Sequence, residues 1–281
     1  MKKMLSAMLA MAMVFSLAAC GKKDQPAGGS QSGAQSGSQA ASASQSAADD
    51  LTYAVEAGSA GEEVAKANGF KTVSVETQAM ALMEVDSGTA DAAIIDLLMA
   101  GAMVGEGTSY PNIKVTDQKL NSEEYGVGCR KGSDLASFIN AVLSEAFADG
   151  TMEELAKTYG VQEAILEQPE AEYTAADSDS DVAYIQGKGT LVVGITNFEP
   201  MDYQDANGSW IGFDADMAKL VAEKLGVAIE FVEIDWDRKV DELDGKGIDV
   251  VWNGMTLTDG VKAAMECTNA YCENAQVVVT K

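Results

Sequence analysis

GTLVVGITNFEPMDYQDANGSWIGFDADMAKLVAEKLG, residues 189–226, is the stretch that decides the fold of this chain. Residues 191–195 form a nearly unbroken apolar run, as a strand buried on both faces requires. An aromatic-bearing loop with Phe198 and Pro200 follows, then the turn pair Asn207-Gly208. From about Asp214 apolar residues return at helical spacing as far as Leu225, and Gly226 supplies the C-terminal stop. Strand, loop and helix in this order are one unit of a parallel α/β layer.

The alternation continues in both directions. Downstream, the pattern predicts strands over 229–234 and 249–252, a helix over 237–243, and a closing strand over 276–280. Upstream, residues 53–56 read as a short strand running into Ala57-Gly58-Ser59-Ala60-Gly61. Ser59 suits a helix N-cap, and Glu62 three residues later completes a capping box. Residues 71–76 alternate as a strand, 78–87 are helical, and 90–95 are a buried strand ending at Asp96. Residues 113–120 and 124–131 read as extended, and 133–150 and 151–159 as two amphipathic helices. A polar linker rich in Ala, Asp, Ser and Glu then runs over about 168–181, before a short helix at 182–186.

The N-terminal 50 residues carry a different message. Lys2 and Lys3 precede an apolar run and then small residues, so 1–19 reads as a secretory signal. Residues 20–50, almost all Gly, Ser, Ala and Gln after their first few positions, form a flexible tether. The formal charge of −25 at pH 7 argues against nucleic-acid binding, because such a surface repels phosphates. Cys129, Cys267 and Cys272 allow at most one disulfide; Cys267 and Cys272 either bridge a turn or remain two buried thiols. With no histidine and no C-x-x-C pair, no metal or cofactor site is expected. Asp177, Asp179 and Asp181 lack the glycine and closing glutamate of a calcium loop, and read as a solvated linker.

Residues 189–226 and the segment 51–70, LTYAVEAGSAGEEVAKANGF, together resemble the bacterial extracellular solute-binding proteins of polar amino acid ABC importers (family 3). In that family the first segment opens the mature chain and the second comes later; here the order is exchanged. The resemblance implies an α/β, two-lobe, type II periplasmic-binding-protein-like fold, circularly permuted. It divides the chain into signal (1–19), tether (20–50), lobe 2 (51–123), hinge strand (124–131), helices packing on lobe 1 (132–165), linker (166–186) and lobe 1 (187–281). It also implies that the first crossing between lobes runs from 276–281 to 51–55, where the chain is cut. Leu17-Ala18-Ala19-Cys20-Gly21 resembles a lipobox, which implies cleavage before Cys20, its lipidation, and an extracytoplasmic protein anchored to the cell membrane.

Carried over residue by residue, the resemblance marks a ligand site. Ser59 and Ala60 match the helix start that donates N–H groups to a ligand carboxylate, where a helix N-terminus suits an anion. Asp96 matches the carboxylate that pairs with the ligand ammonium; an acid closing a buried strand needs a partner. Asn253, Gly254 and Thr256, in WNGMTLT, match the turn that grips the ligand backbone. Phe198 matches the stacking aromatic, and Trp236 suits a pocket wall and a core position equally. Val261 stands where the family has a carboxylate-binding arginine, and Lys262 is one residue off. Either N–H groups and a relocated cation replace that arginine, or the ligand is not an ordinary α-amino acid. The implied function is a monomeric, non-enzymatic binding protein that delivers a small polar solute, an amino acid, to an ABC permease. The alternatives are a sensory module or a dehydratase-like enzyme on the same fold.

Overall fold

The computed structural model describes residues 51–175 and 180–281. The signal, the tether, Cys20 and the linker residues Asp177 and Asp179 lie outside the described residues. Among those described, no helix is long and apolar enough to cross a membrane.

The chain first lays down β1 (Thr52–Glu56), α1 (Ala60–Ala67), β2 (Lys71–Val75), α2 (Gln78–Ser87), β3 (Ala92–Asp96), α3 (Leu97–Met103) and β4 (Lys114–Lys119). Short strands β5 (Glu123–Tyr125) and β6 (Gly128–Cys129) lead to α4 (Leu135–Ala148) and α5 (Thr151–Tyr159). Next come α6 (Asp181–Lys188), β7 (Thr190–Ile195), the hairpin β8 (Tyr203–Gln204) and β9 (Trp210–Ile211), then α7 (Phe213–Leu225) and β10 (Ala228–Glu233). The remainder is α8 (Lys239–Asp244), β11 (Val250–Val251), α9 (Asp259–Ala264), β12 (Glu266–Cys267), β13 (Cys272–Asn274) and β14 (Gln276–Thr280).

Two five-stranded sheets result. The first has the order β2-β1-β3-β14-β4 and the second β10-β7-β11-β6-β12. β1, β2 and β3 run parallel, as do β7, β10 and β11, so in each sheet the strand C-termini gather at one edge. Between the sheets β5 and β13 pair antiparallel as a two-stranded ribbon.

This topology corrects the sequence reading of 276–281. Those residues form β14 inside the first sheet, paired antiparallel with β3 and β4, and not a crossing out of the 187–281 lobe. The physical reason is the run Val277-Val278-Val279, buried throughout, which fits a position with strands on both sides and core on both faces. The chain therefore crosses between sheets twice with its backbone intact, outward through β5 and back through β13. The expectation of one surviving crossing does not hold.

Within 166–186 the short helix expected at 182–186 is present as part of α6. Ser180 caps α6 by accepting from the Ala183 N–H at 3.2 Å, so 181–186 are helical. At its other end, Leu166 N–H donates to Tyr271 O at 3.0 Å and the Gln168 amide donates to Ala270 O at 2.9 Å. Asp181 then meets Arg130 at 3.1 Å, and Arg130 reaches Asp249 at 3.3 Å. Lys188 closes on the same Asp249 at 2.6 Å. The join is thus pinned by buried charge on three separate stretches of chain.

α4 and α5 pack against α7. α4 turns Leu135, Ile139, Val142, Leu143 and Ala146 inward, one face at helical spacing. Tyr159 OH donates to Asp216 at 2.5 Å and Lys224 Nζ donates to Glu145 at 2.7 Å, fastening the same helices.

Candidate functional site

A small cavity of about 50 Å³ is lined from both sheets. Ser59, Ala60 and Asp96 come from the strand ends of the first, and Trp236, Asn253, Gly254 and Thr256 from those of the second. Seven of the eight sequence-predicted ligand residues therefore meet at one place. A wider cavity of about 640 Å³ adjoins it and shares Ala60, Glu63, Thr256 and Thr258. Crevices outside strand C-termini are where open α/β sheets take ligands.

Phe198 is the one left out of the lining. It is buried behind the turn, edge-on to Tyr125 with ring centroids 6.3 Å apart. Gly254 lies directly on it: a Cβ there would come within 2.3 Å of the Phe198 ring, and φ is +55°. Only glycine allows that approach.

Several groups expected to face a ligand are committed elsewhere. The Asn253 side chain exchanges two hydrogen bonds with Thr196, donating to Oγ1 at 2.8 Å and accepting from the N–H at 2.9 Å. Gly254 N–H donates to Asp214 at 2.6 Å, and Tyr271 OH donates to the same carboxyl at 2.8 Å. Ser59 Oγ accepts from Glu62 N–H at 3.1 Å, the first half of the predicted capping box, while Glu62 accepts from Gly58 N–H at 3.0 Å, one residue before the Ser59 N–H that a full box would use. That leaves the first N–H groups of α1 at the cavity wall.

Asp96 is enclosed. It accepts from Tyr125 OH at 2.7 Å and Gln276 Nε2 at 3.0 Å, and also from the amides of Gln78 and Asn274. Asn274 and Gln276 donate in turn to Glu123, at 2.6 and 2.8 Å. Burial, and then the neighbouring Glu123 charge, push the Asp96 carboxyl well above the usual range. Three of these donors meet Oδ1 and one, from Gln78, meets Oδ2.

Two buried charged residues in the cavity were not singled out from the sequence. Lys239, 8 % exposed, donates through Nζ to Gly58 O and Trp236 O, both at 2.9 Å, and sits 4.8 Å over the Trp236 ring. Burial lowers its pKa. Glu56 closes β1 as Asp96 closes β3 and is 3 % exposed. Its Oε1 has no hydrogen-bond partner. Burial pushes Glu56 up to about 8, against the pull of Lys239 and a hydrogen bond from Gln78. The signal that marked Asp96, an acid ending a buried apolar strand, was present at Glu56 too. Lys239 gave none, since a lysine at a helix start reads as solvated. Val261 lines the same cavity, so the cation there is Lys239; Lys262 borders the wider one.

Among the described residues no group of three or more His, Cys, Asp or Glu could hold a metal ion. Cys267 and Cys272 are free thiols, as is Cys129.

Residues 191–281 match the family model described as bacterial extracellular solute-binding proteins, family 3. The arginine-binding extracellular protein ArtP of Bacillus subtilis is 30% identical over 96 residues, 34% of this chain and 37% of that protein. The L-cystine-binding protein TcyJ of Escherichia coli is 33% identical over 88 residues, 31% of this chain and 33% of that protein. The matches span little more than a third of the length of these relatives. An ancestral cationic amino acid solute binding protein of solved structure is 40% identical over 30% of this chain and 37% of its own, with a TM-score of 0.29.

Proposed function

We propose that this chain, whose residues 191–281 match the model of bacterial extracellular solute-binding proteins, family 3, is a member of that family, captures a small polar solute between its two sheets and hands it to an ABC permease. The observation that carries this reading is the convergence of Ser59, Ala60, Asp96, Trp236, Asn253, Gly254 and Thr256 on one cavity from opposite sheets. An amino acid is the solute class, supported by relatives whose names record arginine and cystine binding. Lys239 replaces the missing arginine as the cation for the solute carboxylate, beside the free N–H groups of α1.

The exchanged order of the two segments is a circular permutation in this reading. Its support is that the segment 191–281, which matches the family model, ends in β14, two strands across from β1 in the same sheet. The cut then falls within the first sheet and spares the ribbon between sheets. Cys20 carries a lipid that holds the mature chain at the outer face of the cell membrane, with 21–50 as its tether. The protein acts as a monomer and performs no reaction.

A thermal-shift screen of the mature protein against amino acids, amines and oligopeptides tests the reading. A true solute at 100 times its Kd stabilises by about 2.7 kcal/mol. A flat response to the whole panel would refute it.

A further inference from the structure

We propose that Glu56, and not Asp96, receives the cationic group of the solute, and that it does so by giving up a proton. This deepens the solute-binding reading and rests on it. Asp96 already accepts from four internal donors, Tyr125, Gln276 and Asn274 on Oδ1 and Gln78 on Oδ2, so a solute ammonium would have to compete with them. Glu56 lines the same cavity with one buried oxygen, Oε1, lacking any partner. A buried acceptor left unmatched is costly, and an ammonium or guanidinium arriving there supplies what is missing. The groups facing Glu56 are Lys239 from α8, Gln78 from α2, Asp96 from β3 and Glu63 from α1. Asp237 also acts on Lys239.

Without solute the Glu56 carboxyl is mostly protonated at pH 7, since burial raises it to about 8. Binding ionises it: the O–H bond breaks, the proton leaves to solvent, and the carboxylate pairs with the solute cation. Lys239, which reaches from α8 to Gly58 O near Glu56, keeps its proton and faces the solute carboxylate. The solute class is thus one presenting a cation and an anion within a short span, with the cation against the first sheet.

Calorimetry of the full mature chain with L-arginine, L-lysine, L-histidine and L-cystine decides this, run in two buffers of different ionisation enthalpy. With the proton leaving Glu56, the best of these probes binds roughly 20-fold more weakly at pH 6.5 than at pH 8.5 and releases close to one proton at pH 7. Glu56→Gln, which preserves shape, abolishes both the proton release and the pH slope and weakens binding at pH 8.5 at least tenfold. Asp96→Asn keeps the proton release. If wild type binds a probe without releasing a proton, or Glu56→Gln still releases one, the assignment is overturned while the solute-binding reading stands. If no probe binds wild type, the two fall together.

Discussion

Replacing Arg130 by alanine removes the pin between the stretch of chain before the linker and the stretch after it. Arg130 is 9 % exposed, and its guanidinium engages four partners, the longest contact being Nη1 to Leu243 O at 3.5 Å. Nε donates to Asp181 at 3.1 Å, Nη2 to Asp249 at 3.3 Å, and Nη1 to Ile248 O at 2.9 Å. Removing one partner of a buried ion pair costs about 3–5 kcal/mol, chiefly through the charge left behind. Here the residue left most deeply buried, Asp249, keeps Lys188 at 2.6 Å and Val192 N–H at 2.8 Å. The Asp181 side chain is 17 % exposed and can recruit water. Both facts place Arg130→Ala near the low end, about 3 kcal/mol. For a folded body of this size each kcal/mol moves the melting temperature by about 2–4 °C, so the expected drop is about 6–12 °C. Urea titration read by circular dichroism measures the free energy, and the cycle with Asp181→Ala isolates the coupling across the linker. A loss below about 1 kcal/mol would contradict the argument. So would single losses that simply add in the double variant, for then Arg130 and Asp181 stabilise independently.

Gly254→Ala should destabilise by about 1–3 kcal/mol in chemical denaturation, because its Cβ would meet the Phe198 ring at 2.3 Å; an unchanged midpoint would mean the turn is not seated on that ring. Asp214 is raised to about 7 by burial and Glu56 to about 8, so the folded chain holds protons there that the unfolded chain has released above about 4. That contribution to stability is complete below about pH 4 and is lost as pH rises through 7 to 8. The melting temperature should therefore climb from pH 8.5 to pH 5, and Asp214→Asn should flatten the climb; a falling trace would reject the buried, protonated acids. A thiol reagent should label Cys267 in the native protein and reach Cys129 and Cys272 only after denaturation, since these two are buried; mass mapping of the adducts checks the order.

Much of this was legible in the chain because the signals were local. The N-cap at Ser59, bonded to Glu62 N–H, spans four residues, and the apolar run ending at Asp96 announces a buried strand with an acid at its mouth. The site was less legible where its chemistry depends on distant partners. The Gly254 N–H is spent on Asp214, 40 residues away, and the Asn253 amide on Thr196, 57 away. No spacing rule predicts either. Asp96 has the residue type expected of an ammonium partner, yet Asn274 and Gln276, nearly 180 positions later, decide that its oxygens are already occupied. Lys239 was invisible for a different reason: a buried lysine and a solvated one look alike until the backbone carbonyls of Gly58 and Trp236 are placed around it.

The position of β14 bears on how the chain reaches this state. β3 and β4 leave between them a slot that is filled by residues some 180 positions after Asp96. Until that late strand emerges, two inner edges carry unpaired N–H and C=O groups, and the apolar faces of the first sheet lack their middle. Contacts so far apart along the polymer close slowly, because the loop entropy is lost before the pairing returns anything. A chain in this predicament stays loose for as long as it is being made. It is also exposed to strand-by-strand sticking with its neighbours for that whole interval.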